Sequence, residues 1–271
     1  MSKTVVSSNG FSASRIAGVA TGLVFFAGAQ SAAIAGDYYI SGSGSVVFQE
    51  DSTNEGAFVG PFSTGNGGAI PAGTVLQDGS AVGWDTDFNT GFAISGAVGK
   101  YYGPFRGEFE VAYQNAGVDT HTGVSAGPTD LSGFDAAVLI SDRQQQLGVT
   151  VADLVADGQG DLETIFLMAN AIYDFDLGSP IKPYIGGGVG VGFVNVDYVP
   201  SATTVIDDRS TQFAYQAMAG VSYAVAPAAE VFVGYRYRAT TDVSVEANLF
   251  TADFDIENSA SMAEAGIRLK F

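Results

Sequence analysis

The sequence predicts an all-β fold, an eight-stranded antiparallel up-and-down transmembrane β-barrel. Three observations predict it. Beyond residue 36 hydrophobicity repeats with a period of two, over eight separate segments. The connections between those segments alternate between short and long. No stretch after the first 35 residues approaches 18 consecutive apolar residues, so a spanning helix is not available.

The first 35 residues differ from the rest. Lys3 and Arg15 are their only charges, an apolar stretch IAGVATGLVFFAGA follows, and Ala33-Ile34-Ala35 precedes Gly36-Asp37. A basic n-region, an apolar h-region and an A-x-A site together predict a signal peptide over residues 1–35, with the barrel domain over 36–271. The apolar stretch is shorter than the ~20 residues of a spanning helix. Without Lys3 and Arg15 the chain keeps 9 basic against 29 acidic residues, a charge of −20. Such acidity argues against a nucleic-acid partner, which needs clustered Lys and Arg. The absence of cysteine excludes disulfides and thiolate metal sites.

Each segment then follows from its alternation. In the first, Tyr38, Ile40, Val46 and Phe48 alternate with Tyr39, Ser41, Ser43 and Ser45. In the second, Phe88, Phe92, Ile94 and Val98 alternate with Asp87, Asn89, Ala93 and Ser95. The third sets Phe105, Phe109, Val111 and Tyr113 against Arg106, Glu108, Glu110 and Ala112. The fourth sets Ile165, Leu167, Ala169, Ala171 and Tyr173 against Thr164, Met168, Asn170 and Asp174, with Phe166 and Ile172 on the polar side. In the fifth, Ile185, Val189, Val191 and Phe193 alternate with glycines. The sixth pairs Tyr215, Ala217, Ala219, Val221 and Tyr223 with Gln216, Met218, Gly220 and Ser222. The seventh pairs Val231, Val233, Tyr235 and Tyr237 with Glu230, Gly234, Arg236 and Arg238. The eighth pairs Ala263, Ala265, Ile267, Leu269 and Phe271 with Glu264, Gly266, Arg268 and Lys270. About ten residues is the length of a strand that crosses a bilayer at a tilt.

Short turns are expected at Gly99-Lys100-Tyr101-Tyr102-Gly103-Pro104, around Gly178-Ser179-Pro180 and around Ala226-Pro227-Ala228, and long loops at about 49–84, 114–161, 197–211 and 240–259. Short turns at one end and long loops at the other describe an outer-membrane barrel, and an even strand count places both termini on the periplasmic side. Aromatics gather at both ends of the apolar face: Tyr38, Phe105, Tyr173, Tyr223 and Phe271 at the turns, Phe48, Phe88, Tyr113, Phe193, Tyr215 and Tyr237 at the loops. The competing fold is a soluble lipocalin-like barrel with its apolar face inward. Arg106, Glu108, Glu110, Arg236, Glu264 and Arg268 decide against it, because all lie on the face opposite the aromatics. A small soluble core would strand such charges, whereas a lumen pairs them into a network.

The run KPYIGGGVGVGF (182–193) invites a phosphate-loop reading. Its glycines fall at 186, 188, 190 and 192, and Val191 stands where a G-x-G-x-x-G register needs glycine. The β-branched and aromatic residues after it favour a strand, not the helix whose N-terminus would bind phosphate. A glycine face has a structural use instead: it leaves room in a narrow lumen that neighbouring strands fill with Arg, Glu and Gln.

Lys182-Pro183-Tyr184-Ile185-Gly186-Gly187-Gly188-Val189-Gly190, Phe213-Ala214-Tyr215-Gln216, Gly220-Val221-Ser222-Tyr223 and Gly234-Tyr235-Arg236-Tyr237 resemble the opacity-protein and surface-antigen group of eight-stranded bacterial outer-membrane barrels. That group is related in architecture to the outer-membrane protein A barrel. The resemblance is good from about residue 161 onward and weaker over 36–115. It implies a bacterial outer membrane as location, lipid and lipopolysaccharide as surroundings, no cofactor and no catalysis. Barrels of this kind commonly end in Phe or Trp, read by the barrel-insertion machinery, which makes Phe271 the expected insertion signal.

Catalysis on a small barrel would need a His near a Ser and a carboxylate. The one histidine, His121, lies in Val118-Asp119-Thr120-His121-Thr122, just outside the third segment, and is expected to be a solvated loop residue. A histidine metal site lacks a second such ligand. The long loops are acidic, with Glu50, Asp51, Asp119, Asp130, Asp135, Asp242, Asp253 and Asp255 among others. Solubility and mutual repulsion explain that; divalent-cation binding is the sharper alternative, without EF-hand spacing. Asp142-Arg143-Gln144-Gln145-Gln146-Leu147 is expected to form a short helix. The expected function is structural support of the envelope or surface interaction by a monomer. A narrow porin-like channel and an adhesin acting through the acidic loops are the alternatives.

Overall fold

The structure is a computed structural model and describes residues 37–202, 205–247 and 251–271. The expected signal peptide, 1–35, lies outside the described residues. In chain order the strands are β1 (Tyr38–Gln49), β2 (Ser52–Phe58), β3 (Phe62–Ser63), β4 (Val75–Leu76), β5 (Ala81–Phe88), β6 (Gly91–Tyr102), β7 (Phe105–Ala126) and β8 (Thr129–Asp130). A short helix α1 (Val151–Val155) follows, then β9 (Gly160–Asp174), β10 (Ile181–Tyr198), β11 (Ile206–Ala226), β12 (Ala229–Thr240), β13 (Val243–Glu246), β14 (Ala252–Ile256) and β15 (Ser259–Lys270).

Strands β1, β6, β7, β9, β10, β11, β12 and β15 are the eight expected segments, and each pairs antiparallel with the next around a ring. The ring closes where β1 meets β15, from Tyr39↔Lys270 to Gln49↔Ala260. Closure leaves no unpaired backbone edge facing lipid. The outward face is apolar, as the alternation requires: Phe48, Phe92, Phe109, Ile185, Val189, Phe193, Tyr215 and Val233 are all exposed. Their alternate neighbours Arg106, Glu110, Gln216, Arg236 and Arg268 are buried inside.

The segments expected as long loops differ. Strand β7 runs for 22 residues and β11 for 21, far more than the ~10 that a bilayer needs. Their ends, with β2, β5, β13 and β14, build an extension in the order β13-β14-β2-β5-β7. Its interior is apolar: Phe58, Val82, Trp84, Val118, Val194, Val196, Val243, Val245, Phe254 and Ile256 form one buried cluster. The same period of two therefore changes meaning along a single strand. In lipid the apolar side faces out; in water it must face in. The acidic residues take the other side, so Asp253 and Asp255 are exposed while Ala252, Phe254 and Ile256 are buried.

Two smaller expectations are corrected. Phe88 is not a girdle aromatic: it closes β5 and packs half-buried against the extension's core. Residues 142–147 form a turn instead of a helix. Asp142 has φ 53° and accepts from Ser63 Oγ at 2.6 Å, a left-handed backbone that breaks helical continuity. The helical turns that flank this stretch are a 3-10 turn over Ala136–Leu139, capped by Asp135, and α1, capped by Thr150, whose Oγ1 accepts from the Asp153 N–H.

Candidate functional site

The lumen is the site that the alternation points to, and the structure sorts its charges into three groups. At its centre Arg236 lies between two carboxylates: Nη1 is 2.8 Å from Glu110 Oε2, and Nη2 is 2.9 Å from Glu264 Oε1. A second guanidinium, Arg238, reaches the other oxygen of Glu110 at 2.5 Å. Amides complete the shell: Asn170 Nδ2 donates to Glu110 at 2.9 Å, and Gln216 Oε1 accepts from Arg236 and Arg238. Ser43 Oγ donates to Glu264 at 2.5 Å. Toward the short turns Arg106 is bound bidentately by Asp174, at 2.7 and 3.0 Å. Beside it Arg268 pairs with Glu230 at 2.9 Å, and Lys270 binds the other oxygen of the same carboxylate.

Of the six expected lumenal residues, Arg236, Glu110 and Glu264 thus share one cluster. Arg106 and Arg268 find partners elsewhere, and Glu108 stands 3.9 Å from Arg106 as a distant second carboxylate. Arg238, Asp174, Glu230 and Lys270 complete the pairing. All four lie on the polar side of the alternation, which signals them as lumenal without saying whom they meet. Three guanidinium groups also lie over rings, Arg106 at 5.5 Å over Tyr184, Arg238 at 4.6 Å over Phe166 and Arg268 at 5.2 Å over Phe232.

The glycine face is the counterpart of this crowding. A Cβ at Gly188 would fall on the Asn170 side-chain oxygen, and one at Gly190 on the Leu167 carbonyl with Met168 Sδ at 2.8 Å. Gly220 and Gly234 do the same for Tyr184, whose hydroxyl would lie 2.6 Å from a Cβ on either. One gap among the lumenal charges has a volume of about 20 Å³, room for about one water.

His121 departs from expectation. It lies within β7 and is only 3% exposed. Inward positions on β7 are even-numbered from Arg106 to Val118, so residue 121 should face outward. The pairing with β5 slips twice, once between Phe88↔Val118 and Asp87↔Thr120, and again beyond Thr122. Each slip is a bulge that adds one residue. The first turns His121 inward and the second, at Gly123 with φ 65°, restores Val124 to the interior. Nδ1 of His121 lies 2.9 Å from Thr86 Oγ1. Burial pushes its pKa down to about 4 against the pull of Asp157, so the ring is neutral at pH 7.

Phe271 faces outward, about half exposed, and its N–H donates to Tyr38 O at 3.0 Å across the closing seam. Among the described residues no group of three His, Cys, Asp or Glu side chains is arranged to hold a metal ion.

A model of the surface antigen family matches residues 73–270. Over 79 residues the chain is 37% identical to uncharacterized proteins of Brucella abortus and Brucella suis, a match covering 26% of this chain and 28% of each relative. Among solved structures it is similar to Neisserial surface protein A, with 19% identity, a TM-score of 0.43 and coverage of 87% of this chain and 97% of that one. It is likewise similar to the outer membrane protein OprG from Pseudomonas aeruginosa, at 12% identity and a TM-score of 0.45 over 88% and 97% of the two chains. The outer membrane protease OmpT from Escherichia coli gives 12% identity and a TM-score of 0.42 over 89% and 99%. With the family model covering most of its length, this chain belongs to the surface antigen family, as an outer-membrane β-barrel.

Proposed function

We propose that the protein is a monomeric, non-conducting and non-catalytic barrel that anchors a folded extension at the bacterial surface, serving envelope integrity or surface interaction. The observation that carries this reading is the filled lumen. Arg106, Tyr39, Phe166, Met168, Glu110 and Met262 are fully buried across it, and a gap of about 20 Å³ among the lumenal charges has room for about one water. Planar-bilayer recording tests it: the purified protein is expected to give no steady single-channel openings, and reproducible conductance steps would overturn the plugged lumen in favour of a channel.

The orientation we propose puts the short turns in the periplasm and the extension outside, with residues 1–35 removed as a signal peptide. Lipopolysaccharide then surrounds the base of the extension, and the barrel-insertion machinery is the partner during assembly. Arg143 sits in a surface turn of the extension, while Lys100 and Lys182 lie near the short turns. Trypsin added to intact cells is expected to cut after Arg143 and to reach Lys100 only after the outer membrane is opened. Cutting at Lys100 in sealed cells would reverse the topology. Against catalysis stands the setting of His121: among the described residues its Nδ1 is hydrogen-bonded to buried Thr86, and no carboxylate is hydrogen-bonded to the ring.

A further inference from the structure

Above the lumen, the extension encloses a cavity of about 250 Å³. Phe58, Leu76, Trp84, Val124, Leu131 and Val138 supply much of its wall, and exposed Thr74 and Thr129 mark its mouth. Protein interiors are close-packed and rarely leave voids larger than a water. An apolar cavity of ~150 Å³ already admits benzene, so this one is large enough for a small organic molecule.

Besides Thr64, Thr74 and Thr129, His121 and Tyr198 line it, 3% and 1% exposed. His121 Nε2 and the Tyr198 hydroxyl have no hydrogen-bond partner among the described residues, although Tyr198 lies near Thr86. Buried polar atoms are almost always paired, so two orphans at one apolar cavity point to a ligand that pairs them.

The local hydrogen bonds say which kind of ligand. Thr86 Oγ1 accepts from Asn54 Nδ2 at 2.7 Å and from Trp84 Nε1 at 3.2 Å. With both lone pairs engaged, the hydroxyl proton of Thr86 is directed at His121 Nδ1, 2.9 Å away. A neutral imidazole accepting at Nδ1 carries its own proton on Nε2. The cavity therefore offers an N–H donor from His121 and an O–H from Tyr198. No cation faces it among its lining residues, so a carboxylate entering it would be desolvated without a counter-charge.

We propose that this cavity binds a small uncharged molecule, mostly hydrocarbon, that bears one hydrogen-bond-accepting oxygen of the ketone or ester kind. The oxygen takes the His121 Nε2 proton and the hydrocarbon fills the space between Trp84, Val138 and Leu76. Binding of this kind is independent of whether the barrel below conducts.

The chain holds one histidine and one tryptophan, and both line the cavity, so each is a unique spectroscopic reporter. Tag-free protein in lipid nanodiscs is titrated with cyclohexanone, with methylcyclohexane and with cyclohexanecarboxylate, each at controlled aqueous activity. Cyclohexanone is expected to shift the His121 imidazole 15N–1H signal and the Trp84 emission saturably, and to bind about tenfold more tightly than methylcyclohexane. His121→Leu should reduce that preference to about twofold or less by removing the donor. Val138→Phe, which fills the cavity, should abolish saturable binding while the barrel keeps its heat-resistant migration in detergent gels. The proposal fails if cyclohexanone gives no saturable shift, if Val138→Phe binds as wild type does, or if the ketone preference survives in His121→Leu. Tighter binding of the carboxylate would overturn the uncharged class.

Discussion

Glu110 holds together more of the lumen than a single carboxylate ordinarily does. Both of its oxygens are taken by guanidinium groups, Arg236 on one side and Arg238 on the other, and Asn170 adds a third donor. Removing it leaves Arg238 buried with Gln216 as its remaining polar partner. Breaking a buried pair at one end costs far more than the pair contributes, because the surviving charge stays desolvated. Glu110→Leu is therefore expected to cost about 3–5 kcal/mol in urea unfolding from lipid vesicles. Glu108→Gln should cost less than about 1 kcal/mol, since Glu108 stands 3.9 Å from Arg106 and Asp174 supplies the close contacts. Equal losses at the two positions would mean that the lumen is a diffuse charge cloud and not a set of specific pairs.

At the scale of the element, β10 shows how one strand serves two media and two neighbours. Its outward residues Ile185, Val189 and Phe193 meet lipid, and its inward glycines make room for side chains on β9. Gly187 breaks that division, because its parity places it outside. A Cβ there would lie 3.4 Å from the Gln216 carbonyl, an ordinary contact, whereas one at Gly190 would overlap the Leu167 backbone. Gly190→Ala is expected to destabilise the barrel by about 1–3 kcal/mol through forced displacement. Gly187→Ala should stay within about 0.5 kcal/mol of wild type. The comparison is made by equilibrium unfolding in the same lipid, and a costly Gly187→Ala would show that the outward glycine has a use of its own. Strand β7 makes a related point: two bulges within seven residues turn His121 to the interior and return Val124 to it.

At the scale of the whole molecule, closure joins the first and last strands of the barrel, and Phe271 sits on that seam with its ring toward lipid. A half-exposed ring contributes modestly to a closed barrel, since its apolar surface is not fully withdrawn. We propose that its larger role is in assembly, where the insertion machinery reads it. Phe271→Ala should refold in detergent as wild type does and accumulate less in the outer membrane of cells. Equal amounts of the two proteins in membrane fractions would reduce Phe271 to packing alone. The molecule as a whole then combines a lipid-facing cylinder with a plugged lumen and a water-facing extension that has its own apolar core.

Within the barrel, the features that depend on a local period were legible in the sequence. Alternation alone located the eight barrel strands, put Arg236, Glu264 and Arg268 in the lumen, and explained the glycines of β10. The extension was partly legible too: Val243-Ser244-Val245-Glu246 and Ala252-Asp253-Phe254-Asp255-Ile256 alternate as plainly as any barrel strand. Their acidity suggested loops, because alternation with carboxylates reads as solvation until an apolar face is found to cover it. The tertiary structure decided the rest. Glu110 and Arg236 meet across 126 residues, and which charges face each other depends on register and stagger around the ring, quantities with no local signature. The inward turn of His121 depends on bulges in its pairing with β5, and a bulge belongs to two strands at once. A period of two says which residues share a face; only the surrounding medium and the neighbouring strands say what that face meets.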